Sequence, residues 1–160
     1  PYSGEDVVVV PPLLPNVSIV HVQRADQQGN AHVWGILGEQ RLAAFAGERV
    51  ILTAEEIVDE SVIRSDPNRT LIPGLVVDAV CHVPFCAHPS YTQGYHDRDN
   101  DFYLAWDEIS KTDETVQAYL EEWVYNLPDR AAYWEKLGAE THQRLSAGSR
   151  LSKPVNYGDY

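Results

Sequence analysis

The alternation of strand and helix patterns along the first two thirds of the chain constrains its fold more than any other feature. Apolar, β-branched runs at Val7–Val10, Val17–Val22 and Arg49–Thr53 predict three strands, and a helical pattern at Arg41–Ala46 ends at Gly47. Strands that alternate with helices favour a mainly parallel sheet, because parallel neighbours need a long crossover connection.

The following segments extend this pattern. Leu75–Val83 predicts a fourth strand with apolar residues on both faces, which is typical of buried parallel strands. The stretch from Ala54 to Arg64 is predicted to be helix or turn, ended by Pro67. Residues 84–98 then lack any apolar period, and a loop of that length inside a compact domain is typical of a functional segment.

The last third of the chain predicts three helices, whose apolar residues recur at helical spacing. Thr112 is the predicted N-cap of the second helix, and Pro128 opens the third. We therefore expect an α/β fold: an open, mainly parallel sheet flanked by helices, with a C-terminal helical segment. The expected organisation is a single domain, residues 1–160, with a sheet core (1–90), a helical segment (99–145) and a polar tail (146–160).

The charge balance argues against two classes of partner. The chain carries 24 acidic and 12 basic residues, a formal net charge of −12 at pH 7. Such a surface repels phosphate backbones and anionic lipids, so we expect neither nucleic-acid nor membrane binding. No apolar run approaches the roughly 18 residues of a spanning helix.

The two cysteines indicate a reducing compartment. Cys81 and Cys86 lie on one predicted extended segment of roughly 16 Å, too long for a disulfide unless the chain folds back. We therefore expect free thiols and a cytoplasmic location. Cysteine, histidine and aspartate side chains at 81–99 could bind a metal, but the paired spacing that structural zinc uses is missing, so no metal is expected.

Polar and ionisable residues gather where three predicted strands end. Gln23–Asp26 follows the second strand, Glu55 and Glu56 follow the third, and Pro84–Ser90 follows the fourth. Ligands of open parallel sheets bind beyond the carboxyl ends of the strands, so these segments predict a site. Each has a structural alternative, since Gln23–Asp26 could be a solvated strand end and the glutamates could favour a helix N-terminus.

Two residues of the last segment suggest sharper roles. His88 precedes Pro89 in a non-periodic loop that we place outside the core, so it is a candidate for lining the site. Cys86 is a candidate nucleophile if His88 lowers its pKa, but the sequence places no acidic residue beside that histidine to orient it.

Several of these segments resemble the coenzyme A transferases, in particular alpha subunits of the glutaconate coenzyme A-transferase type. The resemblance extends from about Pro1 to Leu145, nearly the whole chain. The matching segments, in order, are Ile19–Asp26 with the Gly29–Ala31 turn, Val50–Val58, Ile72–Val80, Ala87–Ser90, the Gly94-Tyr95 turn with Asp97 and Asp99, and Glu122–Val124.

The chain departs from the family pattern in two ways. Cys86 stands where the family usually has glycine, and a positive φ at that position would strain a cysteine. The amino-terminal half of the subunit, with its glycine-rich segment, is absent, and the chain begins at Pro1 and contains no methionine. We expect a carboxyl-terminal portion of a subunit whose other half is a separate chain or lost.

The resemblance implies a transferase that moves coenzyme A between an acyl-CoA and a carboxylic acid through a glutamyl-CoA thioester. In two-subunit members the nucleophilic glutamate lies on the beta subunit, so this chain would supply no catalytic residue and would position substrate. Coenzyme A would be a substrate, with no permanently bound cofactor. Partners would be the missing half of the alpha subunit, together with the beta subunit. The expected substrate-binding residues are Gln23, Asn30, Glu55, His88 and Ser90.

Two alternatives stay open from the sequence. The same scaffold could carry hydrolase or lyase chemistry on a coenzyme A thioester, because the outcome depends on whether water reaches the anhydride. The chain could also be a non-catalytic scaffolding component. A glutamate at the nucleophile position of the partner would separate these alternatives.

Overall fold

The computed structural model describes Gly4 and residues 6–147 of the chain. The chain divides into two compact units, one formed by Pro1–Thr53 with Ile57–Cys81 and the other by Ala54–Glu56 with His82–Tyr160. The single domain stays a prediction, and most of the tail predicted at 146–160 lies outside the described residues.

Five strands form one sheet in the order β4-β2-β1-β3-β5. The two central strands are the longest, with nine residues each, whereas β2 and β4 are short and were missed in the sequence. The strands are β1 (Val17–Ala25), β2 (Ala31–His32), β3 (Arg49–Ile57), β4 (Thr70–Ile72) and β5 (Ala79–His82).

Most strands of this sheet run in the same direction. Backbone hydrogen bonds join the starts of β1 and β3, from Arg49 N to Asn16 O (3.0 Å), and their ends, from Val58 N to Ala25 O (2.9 Å), so the two strands are parallel. The same pattern of bonds joins β3 to β5. Of the five strands in the described residues, β2 alone runs the other way, antiparallel to β1 and β4. The open, mainly parallel sheet flanked by helices is confirmed.

Five α-helices accompany the strands in the described part of the chain, and α1 packs on β1 while α3 packs on α4. They are joined by two short 3-10 turns, Pro67–Arg69 and Gly74–Val76, and by a π-helical turn at Glu121–Tyr125. The helices are α1 (Gln40–Ala46), α2 (Glu60–Ser65), α3 (Asn100–Ile109), α4 (Asp113–Leu120) and α5 (Arg130–Leu145).

The caps of the C-terminal helices confirm one prediction and correct another. Thr112 caps α4 as expected, since its side chain accepts a hydrogen bond from the N–H three residues on (3.2 Å). The cap of α5 is Asp129, so Pro128 precedes the helix instead of opening it. Gly138, with φ of 78°, kinks α5 near its middle.

The predicted strand at Val7–Val10 is wrong. These residues are extended but unpaired, and their side chains are 78–95% exposed. β-Branched residues favour a strand only where a neighbour offers backbone partners and a surface to pack on, and none of the five strands in the described residues pairs with this segment.

Two further segment predictions need correction. The predicted strand at Leu75–Val83 begins instead with a 3-10 turn at Gly74–Val76, and the strand is only β5, most of whose side chains are exposed. The apolar residues reflect an edge strand and a turn, not a strand buried on both faces. The stretch after Ala54, predicted as helix or turn, continues β3 as far as Ile57 before α2 begins.

The core of the sheet comes from alternate residues of its central strands. Val20 and Val22 of β1 are at most 4% exposed, and Val50 and Leu52 of β3 at most 1%. Because side chains alternate between the faces of a strand, the intervening residues of β1 point the other way, and Ile19 is 68% exposed. One face of β1 is therefore buried and the other is open.

Asp26 organises the turn that follows β1. Its carboxylate, fully buried, accepts hydrogen bonds from the backbone N–H groups of Gln28 and Asn30 and from the Asn30 side-chain amide, each at 2.9 Å. Gly29 takes φ of 86°, and a Cβ there would lie 2.8 Å from the Val77 side chain. The turn thus needs both a short acceptor at 26 and glycine at 29.

We predict that Asp26→Ala opens this turn locally. Two backbone N–H groups would lose their acceptor, at a cost of about 1–3 kcal/mol each when a buried donor is left unsatisfied. Hydrogen–deuterium exchange at the amides of Gln28 and Asn30 should accelerate by at least about tenfold. Asp26→Asn, which keeps one acceptor, should show a smaller effect, and exposed Asp6→Ala should show none. Unchanged exchange in Asp26→Ala would contradict this account.

Candidate functional site

The first two predicted site residues, Gln23 and Asn30, use their side-chain amides within the fold. Gln23 is 5% exposed; its Nε2 donates to the Trp34 carbonyl (2.8 Å), and the Trp34 N–H donates to its Oε1 (3.4 Å). Asn30 donates to Asp26 and accepts from the Gly74 N–H (2.9 Å). Their predicted contact with an acyl oxygen stays a prediction, and the described contacts give both residues a structural role.

Gln23 also fixes Trp34 between two cations. The guanidinium carbons of Arg24 and Arg69 lie 5.6 and 5.4 Å from the centre of the Trp34 ring. Asn30 lines a small cavity of about 180 Å³ together with residues of α2 and the following turn. These residues belong to the first unit, and the remaining predicted site residues, Glu55, His88 and Ser90, belong to the second.

Glu55 is the most enclosed carboxylate among the predicted site residues. Its side chain is 3% exposed, its Oε2 accepts a hydrogen bond from the Phe85 N–H (2.9 Å), and its Oε1 lies 3.2 Å from His96 Nε2. Its backbone carbonyl accepts from Nε2 of His82 (3.1 Å). Glu55 therefore holds the chain on both sides of the point where β5 ends, in a way that the sequence pattern did not reveal.

Phe85 adopts the left-handed conformation that L-residues avoid, with φ of 62°. Such a conformation costs about 1–2 kcal/mol and persists only where the surroundings fix it. The Phe85 ring is 6% exposed and stacks on His96 at 4.1 Å between ring centres, with the edge of Trp134 at 5.3 Å. Its carbonyl accepts from Arg130 (2.9 Å).

The strain expected at Cys86 is therefore located one residue earlier. Among the described residues, Phe85 is the non-glycine residue with positive φ, and Cys86 is an exposed residue without it. The glycine-to-cysteine departure from the family pattern does not place a side chain in the left-handed region. Buried Glu55 and Arg130 stabilise the neighbouring turn instead.

His88 lies in a buried network, so its expected placement outside the core is wrong. Its side chain is 2% exposed; Nδ1 lies 2.6 Å from the Tyr133 hydroxyl, and Nε2 lies 3.1 Å from Asp99 Oδ2. The other carboxylate oxygen of Asp99 accepts from Arg144 (3.2 Å). Asp99 also caps α3 through the Phe102 N–H. The network thus joins the 84–99 segment to α3 and to α5.

The partners of His88 determine which of its nitrogens carries hydrogen. An ionised carboxylate only accepts, so Nε2 donates to Asp99 and Nδ1 accepts from the Tyr133 hydroxyl. Burial lowers the pKa of His88, against the opposing influence of Asp99. Burial acts to raise the pKa of Asp99, but hydrogen bonds from His88 and Arg144 outweigh it, so this pKa lies below its ordinary value. Burial also raises the pKa of Tyr133.

Sequence reasoning missed Asp99, Tyr133 and Arg144 as the partners of His88. Asp99 carries a local signal, because it directly precedes α3 at a capping position. Ser90, predicted to bind substrate, is partly buried, and its backbone N–H donates to the Ala87 carbonyl (2.7 Å). The substrate-binding roles of Glu55, His88 and Ser90 stay predictions.

A cavity of about 500 Å³ lies beside this network. It opens next to His82, the last residue of β5, and extends along the first two turns of α5. Its lining combines apolar side chains with one guanidinium, one imidazole and one carboxylate: His82, Val83, Pro84, Arg130, Ala131, Trp134 and Glu135.

Metal and membrane sites have no counterpart in the part of the chain that the structure describes. There, no three or more histidine, cysteine, aspartate and glutamate side chains are arranged to hold a metal ion. Over the same residues, no helix combines the length and apolar character of a membrane span.

Comparison with known proteins gives a consistent family. The coenzyme A transferase family model matches residues 1–82. A subunit of 3-oxoadipate CoA-transferase from Pseudomonas knackmussii is 43% identical over 137 residues, which are 86% of this chain and 48% of the relative. A subunit of glutaconate CoA-transferase from Acidaminococcus fermentans is 43% identical over 136 residues, 85% of this chain and 42% of the relative.

The fold agrees with the sequence comparison. The crystal structure of glutaconate coenzyme A-transferase from Acidaminococcus fermentans matches this chain with a TM-score of 0.84 and 40% sequence identity, over 92% of this chain and 46% of that chain. The chain belongs to the coenzyme A transferase family. The family and fold predicted from the sequence are confirmed.

The matches also delimit what this coenzyme A transferase family member contains. The chain spans less than half the length of the two curated relatives. The family model ends at His82, the last residue of β5, so the network around Phe85 and His88 lies beyond the matched region. This network is therefore a feature of the chain that the family model itself does not describe.

We predict that acid destabilises the second unit of this family member through His88. Because its folded pKa is below its unfolded value near 6.5, the unfolded chain binds the proton more readily. The stabilisation is fully present above that value and is lost as the pH falls below it. Asp99 adds stability above its unfolded value near 3.8 that is lost at still lower pH.

The melting temperature should therefore be flat above about pH 7 and fall below about pH 6.5. His88→Asn removes the titrating group and should flatten the upper part of this fall. His142→Gln is the matched control, since burial lowers the pKa of His142 in the same direction without a bond to Asp99. Identical pH profiles for the wild type and His88→Asn would show that His88 is not the group responsible.

Proposed function

We propose that this chain is a component of a coenzyme A transferase that moves coenzyme A between an acyl-CoA and a carboxylic acid through a glutamyl-CoA thioester, with the nucleophilic glutamate on a partner subunit. The proposal rests on 43% identity to subunits of two coenzyme A transferases over at least 85% of this chain. Those relatives are named for 3-oxoadipate and glutaconate, so we include dicarboxylic acids as the substrate class.

The proposed reaction divides one exchange into covalent steps. The glutamate carboxylate attacks the thioester carbonyl, the C–S bond breaks, and coenzyme A leaves as a thiolate from a mixed anhydride. The thiolate attacks the glutamyl carbonyl of the anhydride, which releases the first acid and leaves a glutamyl thioester. The acceptor carboxylate then attacks this thioester, and the released thiolate collects the acceptor acyl group and restores the glutamate.

The contacts of Glu55 support a nucleophile outside this chain. A carboxylate that attacks a thioester must reach the carbonyl carbon, whereas the Glu55 side chain is 3% exposed and holds the Phe85 N–H. Moving it out would leave a buried donor without its acceptor, a cost of about 1–3 kcal/mol. Glu55 is therefore suited to hold the 84–90 segment in place.

The exposed apolar residues support a partner polypeptide. The Val7–Val10 segment is 78–95% exposed, and Leu13 and Leu14 are 84% and 76% exposed. Ile19, on the open face of β1, is 68% exposed. Contiguous apolar surface of this kind usually marks a contact with another polypeptide. We propose that the remaining half of the alpha subunit covers it, together with a beta subunit.

We predict where the covalent intermediate forms. The assembled enzyme incubated with an acyl-CoA, without acceptor acid, should carry coenzyme A as a thioester on a partner glutamate. Borohydride reduction followed by peptide mass spectrometry should find the modified glutamate on the partner and no modification on this chain.

Other positions of the label would contradict the proposal in distinct ways. A label on Glu55 or Glu56 would place the nucleophile on this chain, and a label on Cys86 would indicate thiol chemistry. Rapid loss of the thioester to water, with no acceptor acid needed, would favour the hydrolase alternative.

We also predict that Val8→Glu weakens assembly. Val8 is 95% exposed, so a charge there should leave the fold of this chain intact while placing an unpaired carboxylate in the proposed contact. The dissociation constant for the partner should rise by at least about tenfold. Ala118→Glu, at an exposed site on α4, is the matched control. Unchanged co-elution of Val8→Glu with its partner in size-exclusion chromatography would argue against a contact at this segment.

A further inference from the structure

The cavity of about 500 Å³ beside β5 and α5, lined by the residues named above, has no assigned occupant. We refer to it as the β5–α5 cavity. Its size lies within the range of about 300–1,000 Å³ that is usual for small-molecule sites. It opens at the last residue of a parallel strand, which is where open sheets bind their ligands.

The polar walls of the β5–α5 cavity are held by a second layer of contacts. His82 donates to the Glu55 carbonyl (3.1 Å), and Arg130 donates to the carbonyls of Pro84 (3.2 Å) and Phe85 (2.9 Å). The Trp134 ring stacks on His142 with 3.6 Å between ring centres. Walls supported in this way keep their position when a ligand enters, which reduces the entropic cost of binding.

The charge of the lining discriminates between ligands. Arg130 and Glu135 carry opposite charges, and the other lining residues are apolar or neutral in their common forms. A site with compensated charge favours a neutral ligand over a free carboxylate or a phosphate, which would be repelled by Glu135 as well as attracted by Arg130. The net charge of −12 acts in the same sense against anionic groups.

The hydrogen-bonding groups select further. The Glu55 carbonyl only accepts, so Nε2 of His82 carries hydrogen and Nδ1 of the neutral ring is an acceptor. The cavity thus combines a hydrogen-bond acceptor, a guanidinium donor and apolar walls. A suitable ligand has a mainly aliphatic body that carries a few amides, because an amide supplies both the donor and the acceptor.

We propose that the β5–α5 cavity binds the pantetheine arm of coenzyme A. This inference depends on the proposed function, since it concerns the same acyl-CoA substrate. The arm is uncharged and carries two amides between methylene groups and a dimethyl carbon. Its aliphatic parts pack on Val83, Pro84 and Ala131, an amide N–H donates to His82, and an amide carbonyl accepts from Arg130.

Filling the cavity tests this proposal. Ala131 is exposed at the cavity wall on α5, so Ala131→Trp fills space without removing a buried contact, and Ala131→Leu fills less of it. In the assembled enzyme, Ala131→Trp should raise KM for an acyl-CoA by at least about tenfold, and Ala131→Leu by less. The N-acetylcysteamine thioester of the same acid lacks most of the arm, so its kcat/KM should stay within about twofold of the wild type.

Ala118→Trp, the same change at an exposed site on α4, is the control and should alter neither substrate. Isothermal titration with pantetheine itself provides a readout that needs no turnover, and Ala131→Trp should abolish its heat. An unchanged KM for acyl-CoA in Ala131→Trp would overturn the proposal, and so would equal losses for both thioesters. Loss of partner assembly without any change for assembled molecules would show that a polypeptide occupies the cavity.

The proposed function fails in a different way. If the wild-type assembly transfers coenzyme A to no acid, the transferase proposal is wrong whatever the cavity variants do. If the wild type is active and the cavity variants behave as the wild type does, only the cavity inference is wrong.

Discussion

The second unit of this structure depends on one buried carboxylate. Glu55 lies near the end of the central strand β3, is 3% exposed, and binds the N–H of Phe85 while it approaches His96 to 3.2 Å. Its backbone carbonyl holds His82 at the end of β5. A buried carboxylate is stable only where donors surround it. Once those donors are in place, the chain after β5 has little freedom, and the strained φ of 62° at Phe85 becomes tolerable.

A second buried group, Asp99, extends this order into the helices. It caps α3, binds His88, and accepts from Arg144 near the end of α5, so one carboxylate ties a loop to two helices. Tyr133 completes the network from the other side of His88. The 84–99 segment, which the structure describes in full, contains no helix and only isolated bridges, yet its buried polar contacts define it as tightly as a strand would. The walls of the β5–α5 cavity derive their rigidity from the same contacts.

Part of this structure could be predicted from the sequence because its signals are local. The alternation in Val17–Val22, the cap at Thr112 and the helical spacing after residue 100 each depend on neighbours along the chain, and the structure confirms them. Val7–Val10 was assigned wrongly because a strand needs a partner that propensity does not supply. His88 was placed in a solvent-accessible loop because its partner Tyr133 and the more distant Arg144 are remote from it in sequence. The buried role of Glu55 likewise depends on residues 30 and more positions away.

The central claim is that Glu55 organises the chain and that the transfer chemistry uses a glutamate of the partner. Glu55→Gln tests it most directly, because a glutamine oxygen can still accept from the Phe85 N–H although it cannot act as a nucleophile. The assembled Glu55→Gln enzyme should transfer coenzyme A within about tenfold of the wild-type kcat, with hydrogen exchange at Phe85 little changed. A fall in kcat on the order of 10⁴-fold or more, with exchange at Phe85 unchanged, would contradict the claim and make Glu55 itself the catalytic carboxylate.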